Sequence, residues 1–95
     1  MAEPKELFID LRTSVGGPEA RLALREEHAR WLQPLVDQGK VIMGGPLADG
    51  TGGVIIFSTT TAEEARALTQ KDPYVVKGLA RPNIKVWTVR FYQGM

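Results

Sequence analysis

Two periodicities divide the chain. Leu7-Phe8-Ile9-Asp10-Leu11-Arg12 alternates, with Leu7, Ile9 and Leu11 on one face, and predicts a first strand. Ser14-Val15-Gly16-Gly17-Pro18 breaks it. Pro18 followed by Glu19 marks a helix start, because proline suits the first helical position and an acidic side chain suits the positive end of the helix dipole. Good helix formers then carry a long helix to about Val36. Leu24, His28, Trp31, Leu32 and Leu35 recur at helical spacing and share one face. Pro34 is expected to kink this helix or close it early, and Gly39 to stop it.

Val41-Ile42-Met43 predicts a second strand. Gly44-Gly45-Pro46 and Asp49-Gly50-Thr51-Gly52-Gly53 then make a glycine-rich connection to a third, Val54-Ile55-Ile56-Phe57. That strand is apolar at every position, which implies burial on both faces. Thr61-Ala62-Glu63-Glu64 is a capping box opening a second helix, with Ala62, Ala65 and Leu68 inward. Asp72-Pro73 starts a further short turn that Gly78 ends. Ile84 to Phe91 predicts the last strand, with Ile84, Val86 and Thr88 on one face and Trp87, Val89 and Phe91 on the other.

The order β-α-β-β-α-β in so short a chain predicts an α+β fold, a ferredoxin-like sandwich on an antiparallel sheet, over residues 1–95 as one domain. Two helices cover one face of such a sheet, yet the third and last strands are apolar on both. A second copy of the same sheet is the simplest cover, so a homodimer is expected.

Composition narrows the function. Twelve basic and eleven acidic residues are scattered to a net charge of +1, which gives no footprint for nucleic acid or an anionic membrane. No apolar run approaches the ~20 residues of a spanning helix. The start, Met1-Ala2-Glu3-Pro4-Lys5-Glu6, lacks the basic and apolar segments of a signal peptide, and a cytoplasmic protein is expected. There is no cysteine, hence no disulfide, zinc-thiolate site or thiol nucleophile. With one histidine and no acidic cluster at ligand spacing, no metal is expected. A haem on His28 is the one cofactor reading left open. Neither Ser14 nor Ser58 sits in a nucleophile elbow.

His28 is the candidate for proton transfer near neutral pH, set against the plain role of a half-buried helix histidine. A histidine base needs a partner to fix its tautomer. Asp37 lies nine residues on, which at ~100° per residue is the opposite face of the helix. Asp72 is the stronger candidate, held by the restricted backbone of Pro73, and helix capping is compatible with that role. Gly44-Gly45-Pro46 reads either as a turn or as a place where a ligand approaches backbone; no phosphate-loop Lys-Ser or Lys-Thr follows.

Arg25-x-x-His28 on the first helix, Gly39 before a strand, Gly45-Pro46 after it and Asp72-Pro73-Tyr74 after the second helix together resemble the YCII-related (YciI-like) family, over about Leu7 to Phe91. The resemblance implies a dimeric α+β barrel. It maps the family's histidine and aspartate to His28 and Asp72, its arginine to Arg25, and an aromatic position to Tyr74. It also implies kinship with muconolactone isomerases, cofactor-free monooxygenases and a dehydrochlorinase of aromatic breakdown. The expectation is a cofactor-independent lyase or isomerase. His28 would take a proton from a small aromatic or lactone-like substrate and Asp72 would orient its ring. Arg25, Trp31, Gly45, Pro46 and Tyr74 would bind the substrate. The alternative is a non-catalytic metabolite-binding or accessory dimer.

Overall fold

The computed structural model describes residues 5–94; the polar start at Met1–Pro4 lies outside them. The elements in chain order are β1 (Lys5–Ser14), α1 (Pro18–Ala23), α2 (Arg25–Asp37), β2 (Val41–Pro46), β3 (Gly52–Phe57), α3 (Ala62–Thr69), α4 (Pro73–Val76), β4 (Ala80–Arg81) and β5 (Ile84–Val89). All strand pairings are antiparallel. β1 lies between β3 and β5, β2 flanks β3 at the edge, and β4 pairs with the end of β1. This is the ferredoxin-like α+β sandwich expected from the element order.

Two faces of the sheet follow from the register, because residues paired across strands share a face. Phe8 pairs with Phe57, Asp10 with Ile55 and Arg12 with Gly53. This is the face that the helices cover. Phe8, Leu35, Val41, Ile55, Phe57 and Ala65 form the core there, with Trp31, Leu32, Leu68 and Ile84 packed against it. Leu7, Ile9 and Leu11 therefore lie on the open face, with Val54, Ile56 and Trp87. That face remains half-buried or exposed in one copy.

Several boundaries differ from the sequence reading. The first helix is two. The break falls at Leu24 (φ −104°, ψ 9°), and α1 buries no residue, so no packing holds it in line with α2. Pro34 lies inside α2, which continues to Asp37. Its carbonyl still accepts from Gln38 N–H at 2.9 Å, so the last turn survives the lost donor. Gly39 then ends the helix at φ +75°. Its own N–H reaches Val36 O and that of Lys40 reaches Leu35 O, a Schellman ending that suits glycine.

Gly44-Gly45-Pro46 is not a connection but the second half of β2, paired with Gly53, Val54 and Ile55, and the turn is confined to Leu47–Thr51. Pro46 is tolerated because β2 is an edge strand. β5 ends at Val89, leaving Phe91 84% exposed outside the sheet. The short β4 has no counterpart in the expected order; it pairs only with Thr13 and Ser14. Among the described residues no helix is long and apolar enough to cross a membrane.

Candidate functional site

A cavity of about 620 Å³ opens between the sheet and the α1–α2 corner. Its existence follows from glycine. On the helix-covered face, large side chains fill the end of the sheet around Phe8 and Phe57, but Gly44 and Gly53 leave the other end bare beside Arg12. A Cβ at Gly53 would approach Gly45 O to 3.1 Å, and one at Gly44 would approach Val54 O to 3.2 Å. The volume is in the ordinary range for a small-molecule site. The exposed lining is mostly apolar, with Arg12, Glu19, Arg21, Arg25, His28 and Tyr74 among its polar points.

Three elements bring the polar groups together. His28 lies on the first turn of α2, and its backbone N–H bonds Leu24 O at 2.9 Å. Asp72 caps α4, accepting from Tyr74 N–H at 3.0 Å. The same oxygen, Oδ1, lies 2.8 Å from His28 Nδ1. The other oxygen, Oδ2, accepts from the Arg12 guanidinium, which reaches across from β1. Arg12 also donates to Asp10 Oδ2 from Nε at 3.1 Å and from Nη2 at 2.7 Å. Asp10 is held further by Thr69 Oγ1 and by Asn83 N–H.

Burial drives the Asp72 carboxyl upward, but hydrogen bonds from His28 and Arg12, and their charges, outweigh it and hold Asp72 below its ordinary value. Asp72 is thus a carboxylate, which only accepts. His28 Nδ1 must carry the hydrogen it shares with Asp72, and in the neutral ring Nε2 keeps the free lone pair. The Tyr74 ring stacks on the imidazole, with centroids 4.2 Å apart and planes 9° apart. Burial, and then the nearby charge of Asp72, raise the Tyr74 phenol above its usual value, so it stays protonated at neutral pH.

His28, Arg25, Gly45, Pro46 and Tyr74 all line the cavity; Asp72 lies fully buried behind His28. Trp31 does not line it. It packs on the core side, its ring tilted against His28 at 5.7 Å. Asp37 points elsewhere and accepts from Gln33 at 2.9 Å. The sequence reading missed Asp10 and Arg12. The available signal was their alternation with Leu7, Ile9 and Leu11: two charged residues interleaved with the apolar positions of one strand. Solvent exposure explains that pattern as easily as a buried ion pair does. Among the described residues, no three His, Cys, Asp or Glu side chains gather as a metal site.

Comparison with known proteins agrees with this fold. The chain is similar to YjpA of Bacillus subtilis, 32% identical over 63 residues, covering 66% of this chain and 74% of YjpA. It is similar to Escherichia coli YciI, 34% identical over 71 residues, covering 64% of this chain and 72% of YciI. Among solved structures it resembles the 5-chloro-2-hydroxyhydroquinone dehydrochlorinase TftG of Burkholderia phenoliruptrix, determined with 2,5-dihydroxybenzoquinone. The TM-score is 0.74 at 25% identity, over 86% of this chain and 93% of TftG. The family model described as the YCII-related domain matches residues 2–88, and the chain belongs to that family.

Proposed function

We propose that the protein is a cofactor-independent lyase or isomerase in which His28 removes a proton from a small phenolic, quinol-like or lactone-like substrate. The observation that carries this reading is the 2.8 Å bond between His28 Nδ1 and a fully buried Asp72, on the wall of a largely apolar cavity. With Nδ1 committed to Asp72, Nε2 is the nitrogen left to act as base. The imidazolium that forms is stabilised by the carboxylate behind it. Arg25, one helical turn before His28 and on the same cavity wall, pairs with an anionic oxygen of the substrate. Tyr74 stays neutral and can donate a hydrogen bond to a substrate oxygen.

The likeness to TftG, a dehydrochlorinase, supports elimination as the reaction type. In such a step the proton passes to the base and chloride leaves with the electron pair of its C–Cl bond. The net loss is HCl, and no oxidant or reductant is needed. The working unit in this reading is a homodimer, with the open apolar sheet face of Leu7, Ile9, Leu11, Val54, Ile56 and Trp87 covered by the same face of a second copy.

The test is turnover of chlorinated hydroxyquinols and of small lactones by wild type and His28→Ala. Wild type is expected to release chloride or isomerise at least one of them. His28→Ala is expected to lose ~100-fold or more with an unchanged circular dichroism spectrum. A fully active His28→Ala refutes the reading.

A further inference from the structure

Proton abstraction by a histidine–aspartate pair needs only those two residues, yet a second aspartate and an arginine lie buried beneath them. Arg12 is 7% exposed, and Asp10 and Asp72 are fully buried. Each of their polar atoms has a partner: among the described residues, no buried side-chain nitrogen or oxygen lacks one. Such a cluster is a poor way to stabilise a small domain. Burying ions carries a large desolvation cost, and well-packed apolar residues of similar volume often do as well or better. The arrangement is directional. Asp10 takes two of the guanidinium's donors, and the remaining arm is aimed at the Asp72 oxygen that does not touch His28.

We infer that Arg12, backed by Asp10, is a positioning residue that holds the Asp72 carboxylate onto His28 Nδ1 and so sets which ring nitrogen faces the cavity without a hydrogen. The inference rests on the reading of His28 as the base. Asp72 is buried, and burial alone favours its protonated form. Removing Arg12 leaves the interaction with His28 alone against that burial, which shifts the balance toward a protonated Asp72 that donates to Nδ1. A neutral ring then carries its hydrogen on Nε2, and the base at the cavity wall is lost. Arg12 also lines the cavity, but this role is exercised through Asp72.

The single variant Arg12→Met would leave two buried carboxylates without a counterion and risks failing to fold. The double variant Asp10→Asn/Arg12→Met avoids this. With neutral His28 and ionised Asp72 both clusters carry one net negative charge, because one charge of each sign is removed; uptake of a proton by Asp72 is then the change under test. The readout is the tautomer of His28 in ¹⁵N-labelled protein, which is unambiguous because the chain has one histidine. Wild type is expected to carry the hydrogen on Nδ1. The folded double variant is expected to lose this as the major form in favour of Nε2–H.

A double variant that keeps Nδ1–H overturns the inference. If it does not fold, Asp10→Asn/Arg12→Gln is read the same way; if neither folds, Arg12 is a structural brace and the inference falls. Asp72→Asn separates this failure from that of the underlying reading. If it leaves the His28 tautomer unchanged, the histidine–aspartate pair itself is wrong. If it moves the tautomer and the double variant does not, only the assignment of Arg12 fails.

Discussion

Replacing Asp72 by asparagine removes one charge and no volume, and the structure dictates how the new amide must turn. Oδ1 of Asp72 accepts from His28 Nδ1 and from Tyr74 N–H, while Oδ2 accepts from Arg12. Arg12 can only donate, so the amide oxygen has to face it. The amide nitrogen then meets His28 Nδ1 and Tyr74 N–H. The imidazole is driven to its other tautomer, and the α4 cap is lost. Weakening a hydrogen bond between charged groups costs about 1.5–3 kcal/mol, and losing an N-cap about 1 kcal/mol. The expected destabilisation is therefore about 3 kcal/mol. In a domain of this size that lowers the melting temperature by ~10–25 °C.

The sign with pH follows from the depressed Asp72. Its contribution is fully present above the unfolded value of 3.8 and is lost as pH falls through the lower folded value. Urea unfolding at fixed protein concentration, at neutral pH and then stepwise into acid, measures both effects. Wild type and Asp72→Asn should differ by about 3 kcal/mol at neutral pH and converge below 3.8. A neutral-pH difference under ~1 kcal/mol, or two curves that decline in parallel, would refute the reasoning.

Other perturbations test the cavity, the open face and the local signals. Gly53→Val places methyl groups where Gly45 O already lies 3.1 Å from a Cβ position. It should cost about 1–3 kcal/mol from overpacking and raise KM for whichever proposed substrate the wild type turns over, whereas an unchanged KM would put the substrate elsewhere. Leu11→Glu sets a charge on the open sheet face, where Leu11 is 42% exposed in one copy. Sedimentation velocity should show the proposed dimer in the wild type and its weakening by more than ~100-fold in the variant, because the unpaired charge is buried twice by symmetry; a dimer unaffected by the change would mean that it uses another surface. Thr61→Ala removes the side chain that accepts from Glu64 N–H at 3.1 Å. Thermal unfolding should show a loss of about 1 kcal/mol with no change at His28.

The sequence alone determined the elements whose signals are local. Thr61 under Glu64 N–H, Asp72 before Pro73 and Gly39 after α2 act through bonds within a turn and are seen as read, although the Glu64 side chain returns to Thr60 N–H and not to Thr61 N–H. The element order carried the sandwich, and the His28 and Asp72 positions came from residue type and motif order. Tertiary structure decided what depends on partners distant in the chain. Gly44-Gly45-Pro46 reads as a turn by composition, but pairing with β3 makes it strand. Trp31 sits one turn from His28, yet core packing takes its ring away from the cavity. Asp10 and Arg12 are indistinguishable from a solvated strand face until α2, α3 and α4 close over them. Burial and the 60-residue reach from Arg12 to Asp72 turn two ordinary charges into the support of the site. A strand's period reports that its two faces differ; only the elements packed on each face decide which one is inside.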